Sequence, residues 1–397
     1  MTNLKSLFLL CTACFLITQL LSGQETQNFL FTKGDQNISV ITMGDISAPH
    51  CSIIEYPEFL VIHEIPKIPI DRNKQDSIKT EDDKAKLLIT FIDSIYLNKP
   101  IKYILNSHHH THSLSTITSF LEQGAKLVTT KDNLKTHNKK GVFGNKTSAY
   151  YSESIIEISS DTTLLAETKN PIEVLFLEKS DYNSIPTTSY LFFNFPKQKL
   201  LATSCMTYLK DTNEKYGYKG IVFNDRLIDV KKIITDKNLK VKNTLQLYKF
   251  TYENGQQKPP IFSISHLENV LEHGWHRRKL SEHFQKMSYE ELTTNKDNLL
   301  LYHIENDIYH IILNHAVYEL IEKKDYPKAV LLAQILLLYE PNRIDYIDTL
   351  GEAHFNNGQI NMATYYDEII KQSKSNTEEL GLNMWETNQN NRLKSNN

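Results

Sequence analysis

Cysteine is scarce in this chain: four residues in 397, two of them within the first fourteen. If that leader is removed, only Cys51 and Cys205 remain. A chain of this length with two cysteines is not a disulfide scaffold, and one bridge or two free thiols both stay open. Charge of one sign is also lacking. The formal net charge is −3, which offers nothing to nucleic acid or to an anionic membrane surface. There is no glycine-rich phosphate loop and no G-x-S-x-G nucleophile elbow. Outside the N-terminus there is no long apolar run. What remains is ordinary globular composition, 40% hydrophobic and 23% charged, long enough for two or more domains.

The N-terminal stretch "MTNLKSLFLLCTACFLITQLLSGQ" has one lysine, an apolar run from Leu7 to Leu21, then small and polar residues. That is the order of a secretory signal, with cleavage expected near Gly23–Gln24 and a secreted or periplasmic destination. The run is short for a membrane span. A lipid anchor at Cys14 is the minor alternative, since Thr12 and Ala13 precede it.

From about Gln24 to Phe250, β-rich runs such as "ISVITM", "CSIIEY", "FLVIHEI", "IKYILNS", "SYLFFNF" and "KLLATS" alternate with helical patterns. "DDKAKLLITFIDSIYLN" and "STITSFLEQG" read as helices, the second ending at Gly124. Past the polar linker "ENGQQKPP" the strand signal stops and everything reads as helix. The expected organisation is therefore a leader over residues 1–23, an α+β domain over 24–255, a helical domain over 261–375 and a polar tail over 376–397.

Within the helical part, "AVYELIEKKDYPKAVLLAQILLLYEPN" and "YIDTLGEAHFNNGQINMATYYDEIIKQS" are each two short helices around a tight turn. Leu350, Gly351, Gly358 and Ala363 in the second, and Ala329 and Pro341 in the first, resemble a pair of tetratricopeptide repeats. The resemblance implies a surface for a protein or peptide partner; the alternative is a helical cover or a dimer contact. Oligomeric state stays open.

The most pointed feature is "KYILNSHHHTHSLST", with His108, His109, His110 and His112 between a strand and a helix. Strand, "SHHHTHS" and a helix ending in "GAKLVTT" resemble the metallo-β-lactamase fold, as do the hairpin "SIIEYPEFLVIHEIP" and the run "PIEVLFLEKSDYNSIPTTSYLFFNFPKQKLLATSCMTY". The resemblance covers about Ile38 to Phe250 and implies an αββα sandwich followed here by an all-α domain of helical hairpins. It also implies a zinc hydrolase, whose two ions need five histidines and two acids.

Carried over position by position, that ligand set survives only at His108 and His110. The first acid falls on His112, the next histidine on Ser113, the loop histidine on Pro186, the bridging acid on Cys205 and the last histidine near Tyr248. Asp181 lies close to the loop that lost its histidine. On an extended segment His108, His110 and His112 project to one side. With Cys205 they would form a closed, structural zinc site with no position left for water. The favoured expectation is a binding or scaffold protein with no catalytic residues and no cofactor. Its rival is a zinc-dependent hydrolase with a remodelled mononuclear site at His108, His110, His112 and Cys205. The histidines of "SHLENVLEHGWHRRKLSEH" read as a solvated helix face.

Overall fold

The computed structural model describes residues 29–34, 37–43, 49–67, 80–212, 214–248, 251–253, 256–305 and 310–373. The expected leader with its cysteines, and the whole of the expected polar tail, lie outside these. The described residues divide into two compact units: one within Met1–Asp181, Ile185–Cys205 and Leu245–Ile261, the other within Tyr182–Ser184, Met206–Thr244 and Phe262–Asn397.

The strands are β1 (Phe29–Lys33), β2 (Ile38–Met43), β3 (His50–Glu55), β4 (Leu60–His63), β5 (Ile101–Leu105), β6 (Lys126–Thr130) and β7 (Ile155–Ile158), which form one sheet in that order. β1 to β4 pair antiparallel, so hairpins suffice to join them. β4 to β7 pair parallel, with helices in the connections. These helices are α1 (Glu81–Tyr96), α2 (Thr118–Glu122) and α3 (Lys131–Lys139). A second sheet runs in the order β15-β12-β11-β10-β9-β8, from β8 (Thr162–Leu164), β9 (Ile172–Glu178), β10 (Ser189–Phe195), β11 (Leu200–Ser204), β12 (Asn243–Gln246) and β15 (Ile261–Ser263). A small hairpin, β13 (Thr251–Glu253) with β14 (Gln256–Lys258), forms a third, two-stranded sheet.

Local chemistry explains the elements that frame the site. Thr80 and Asp83 form a reciprocal capping box at the start of α1, and Glu81, Asp82 and Asp83 suit the positive end of the helix dipole. Ala85, Leu88, Ile89 and Ile92 fall on one stripe and are all buried. That stripe packs with Phe120, Leu121 and Leu134 against Ile41, Ile53, Ile62, Ile104 and Leu127 of the first sheet. The opposite face of the sheet, through Ile38, Ile54, Val61, Leu105 and Val128, meets Val174, Leu191, Phe193, Phe195 and Ala202 of the second sheet. Helix layer, sheet and sheet thus succeed one another inside the first unit, the α+β arrangement expected. α2 is shorter than the sequence pattern indicated. Ile117 precedes it without a side-chain cap, so the Ser115–Thr116 stretch stays outside the helix. Gly124 ends the turn beyond it with φ +93°, a value glycine adopts without strain.

The second unit contains α4 (Asp225–Asp236) and the run α5 (Ile264–His273), α6 (Arg277–Lys286), α7 (Tyr289–Thr294), α8 (Lys296–Glu305), α9 (His310–Glu322), α10 (Tyr326–Tyr339), α11 (Ile344–Asn356) and α12 (Ile360–Ser373). α9 with α10, and α11 with α12, are the two expected helical hairpins. A Cβ on Gly351 would lie 3.4 Å from Tyr366 Cβ, so α11 and α12 are in close contact there with little room for a larger side chain. His273 and His283 are exposed as a solvated face requires, whereas His266 is half-buried with Nε2 2.8 Å from Lys210 O and His276 does not belong to a solvated face. It is 4% exposed, caps α6 and places Nε2 3.0 Å from Asp225 Oδ1. Its side chain satisfies a backbone amide at a helix start, which draws it inward.

Candidate metal centre

The site is built at the carboxyl ends of the parallel strands β4 and β5, the edge where open parallel sheets place their ligand loops. Glu64 follows β4 directly, and Asn106, Ser107 and His108 follow β5. The loops are tied to the sheets by backbone hydrogen bonds: Glu64 N to Leu105 O (3.0 Å), Asn106 N to Val128 O (3.0 Å) and Leu191 N to Ser107 O (3.0 Å). The last bond anchors the loop to the second sheet. Ile65 N donates to Ser113 O (2.8 Å) and Ser115 N to Ile65 O (3.0 Å), closing the far side of the histidine loop.

His108, His110 and His112 are brought together, but not by extended backbone. The segment bends through His108–His110 and turns over Thr111–Ser113, with Ser113 N and Leu114 N both donating to His110 O. The rings nonetheless converge. One nitrogen from each lies within 4.8 Å of the other two. Ring centroids are 4.8 Å apart for His108–His110, 5.1 Å for His110–His112 and 4.9 Å for His108–His112. His109, the spacer, contacts His110 edge-on at 5.2 Å, and its carbonyl accepts from Lys140.

Cys205, just past β11, lies outside this mutually convergent triad but approaches one of its members. Its Sγ lies 3.5 Å from His108 Nε2, and His108 Nε2 lies 2.9 Å from His112 Nε2. The Cys205–His108 spacing fits a shared ion, while the His108–His112 spacing is that of a hydrogen bond. Two imidazole nitrogens bound to one tetrahedral zinc at ~2.0–2.1 Å sit ~3.3 Å apart, and a nitrogen and a thiolate sulfur sit ~3.6 Å apart. Three imidazoles and a thiolate are also the donor types that zinc prefers. Both Cys205 and Cys51 are free thiols. Cys51 lies in the core of the first sheet, where burial pushes its thiol well above the usual range.

The other positions singled out by the resemblance behave differently. Ser113 is fully buried and points its hydroxyl at Glu64 Oε2, away from the imidazoles. Tyr248 occupies the place expected of the last histidine, its ring 5.8 Å from that of His112. Asp181 is exposed and lies outside the group of convergent donors.

Sequence reasoning missed the shell behind His108. Tyr190, fully buried, stacks on the His108 ring at 4.8 Å and 18°, and its hydroxyl lies 3.6 Å from Cys205 Sγ. Ser107 Oγ is 2.7 Å from His108 Nδ1 and bonded to Glu64 Oε1. Asn106 Nδ2 donates to His108 O and to Ser113 Oγ, each at 2.8 Å. Asn106 Oδ1 accepts from Thr129 Oγ1 at 2.8 Å and lies 3.0 Å from His137 Nε2. Burial pushes the Glu64 carboxyl up to about 7, against the pull of the Ser107 and Ser113 hydroxyls. Burial and the neighbouring His50 hold His63 down to about 3; burial, His109 and Lys140 do the same for His137. One signal was available: Glu64 is a lone acid in the apolar run "FLVIHEIP", and a buried acid needs donors.

No family model matches the sequence, and no curated protein does. Solved structures similar to this chain are metallo-β-lactamases. One from Pontibacter korlensis shares 16% identity over 62% of this chain and 98% of its own, at a TM-score of 0.41. FIM-1 from Pseudomonas aeruginosa, in a mono-zinc form, shares 11% over 62% and 94%, at 0.38. One from Erythrobacter litoralis shares 10% over 62% and 95%, at 0.41.

Proposed function

We propose that this chain binds one zinc ion through His108, His110, His112 and Cys205, and that the site is structural, serving a binding or scaffold protein with no hydrolytic activity. The observation that carries this reading is the convergence of three imidazoles within 4.8 Å with Cys205 Sγ 3.5 Å from His108 Nε2. Four protein donors complete a tetrahedral zinc and leave no place for the water that a hydrolase activates. A two-ion centre has too few ligands here, because Ser113 faces Glu64 and Tyr248 stands where a histidine would be needed.

The test is metal analysis of the purified full chain, followed by cobalt substitution. The expected result is one zinc per chain and, with cobalt, a thiolate-to-metal charge-transfer band that Cys205→Ser abolishes. Hydrolysis of a β-lactam or thioester by the zinc-loaded protein, lost with His110→Ala, would favour the rival reading of a remodelled mononuclear hydrolase.

The helical unit is assigned a protein or peptide partner on the support of its two stacked hairpins and of Leu338 and Tyr365, each more than half exposed. Export is assigned on the leader alone. A native N-terminus near Gln24 supports it, an acylated Cys14 makes the protein membrane-anchored, and an intact Met1 overturns both. No helix among the described residues is long and apolar enough to cross a membrane.

A further inference from the structure

Glu64, Ser107 and His108 form a chain of buried polar groups whose proton directions follow from counting. All three residues are fully buried. Counted with Glu64 ionised, its carboxylate only accepts, a hydroxyl donates one proton, and a neutral imidazole carries its proton on one nitrogen. Asn106 is fixed first: its Oδ1 receives Thr129 Oγ1, so its Nδ2 donates to His108 O and Ser113 Oγ. Ser113 Oγ already accepts there, and its own proton goes to Glu64 Oε2. Glu64 Oε1 takes the Ser107 backbone amide at 3.2 Å together with the Ser107 hydroxyl. Ser107 Oγ has then spent its only proton. Its 2.7 Å contact with His108 Nδ1 has one remaining direction, from imidazole to hydroxyl.

We propose that Glu64 and Ser107 act as a positioning relay that holds His108 in the Nδ1–H tautomer and so presents the Nε2 lone pair to His112 and Cys205. Ser107 and Glu64 are not among the proposed metal donors; they act through His108. The Tyr190 ring, stacked at 18° on the imidazole, holds the ring plane, and the relay sets which nitrogen is bare. A metal needs that bare nitrogen, and a hydrogen-bonded outer partner is how proteins supply it. The 2.9 Å contact between the two Nε2 atoms follows the same direction, with His112 Nε2–H donating to His108. The inference deepens the zinc reading, yet it concerns the metal-free protein and is tested there.

The experiment is long-range 1H–15N correlation on the full, metal-free 15N-labelled chain at pH 8, with His108 assigned by its disappearance in His108→Gln. The expected spectrum has His108 Nδ1 protonated and Nε2 bare. Ser107→Ala should abolish this preference, and Ser107→Thr, which keeps the hydroxyl, should retain it. Finding His108 protonated on Nε2 in the wild type, or no change in Ser107→Ala, overturns the relay. If Ser107→Ala does not fold, Glu64→Gln serves in its place, because a neutral amide weakens the same fixed tautomer. Zinc competition with a chelator gives a separate readout: Ser107→Ala should bind about 10–100-fold more weakly than wild type. Equal affinity in the two proteins overturns the relay. A wild type that binds no zinc overturns the metal reading alone, because the tautomer measurement still decides the relay.

Discussion

Cys205 Sγ and His108 Nε2 lie 3.5 Å apart although 97 residues of chain separate them. One follows β11 in the second sheet and the other follows β5 in the first, so neither sheet alone contains the site. Removing either end should cost the ion. Protein carrying His110→Ala or Cys205→Ser, grown with zinc and dialysed, should retain well under one zinc per chain where wild type retains one. The remaining donors hold the ion too weakly to survive dialysis. Unchanged stoichiometry, measured by elemental analysis, would remove these residues from the ligand set.

Phe193 is fully buried between the sheets and meets His63 edge-on at 5.7 Å. Phe193→Ala should destabilise the first unit by about 3–5 kcal/mol, the cost of lost burial plus the cavity left behind. Urea unfolding followed by a probe in that unit checks this.

In the second unit, Gly351→Val should destabilise by about 1–3 kcal/mol through overpacking against Tyr366 and the added backbone of α12. Gly351→Ala should cost less, since a single Cβ there stands at 3.4 Å, an ordinary contact. Thermal melts of the two variants give the order.

Stability should fall as the solution is acidified, and the sign can be worked out group by group. His63 and His137 are held down to about 3 from an ordinary 6.5. Below pH 6.5 the unfolded chain takes up protons that the folded protein refuses, which costs ~1.4 kcal/mol per pH unit for each histidine. Glu64 acts oppositely. Its carboxyl is raised from 4.5 to about 7, so between those values the folded protein keeps a proton that the unfolded chain has lost. Falling pH there favours folding by ~1.4 kcal/mol per unit and offsets one histidine. The net expectation for these groups is a loss of ~1.4 kcal/mol per unit from pH 6.5 to 4.5, steepening below. His137→Gln should make the slope over this interval shallower. An unchanged slope in denaturant titrations at pH 6.5 and 4.5 would contradict the assignment.

The strands β2 to β6 and β9 to β11 and most helices were legible because alternation and apolar stripes are local; β1, β7, β8 and β12 were not read, and the stretch taken as a linker holds β14, with β15 just past it where only helix was expected. β3 and β4 were visible in "SIIEYPEFLVIHEIP" because apolar runs flank a turn, and α1 because "DDKAKLLITFIDSIYLN" carries a helical pattern. The three histidines were legible from their identity and crowding, although the reason given, an extended backbone, was not the one the chain uses. Cys205 was reached only through a family resemblance, since 97 residues of separation leave no spacing to read. Glu64, Ser107 and Tyr190 stayed hidden for a related reason. Their roles arise from which strand ends are neighbours, and no short window of sequence records that. His276 was misplaced because helical spacing assigns a face and says nothing of a capping bond.

The wide separation of Cys205 from His108 also bears on how the protein assembles. During synthesis the histidine loop emerges well before the cysteine, so a four-donor site cannot close until β11 has docked. A bound ion would then work as a latch between the sheets. Clamping a loop of 97 residues removes conformational freedom from the unfolded chain, on the order of 4–5 kcal/mol by the loop-closure estimate used for covalent cross-links. The ion would therefore contribute little to forming either sheet and most of its effect to keeping the two from separating.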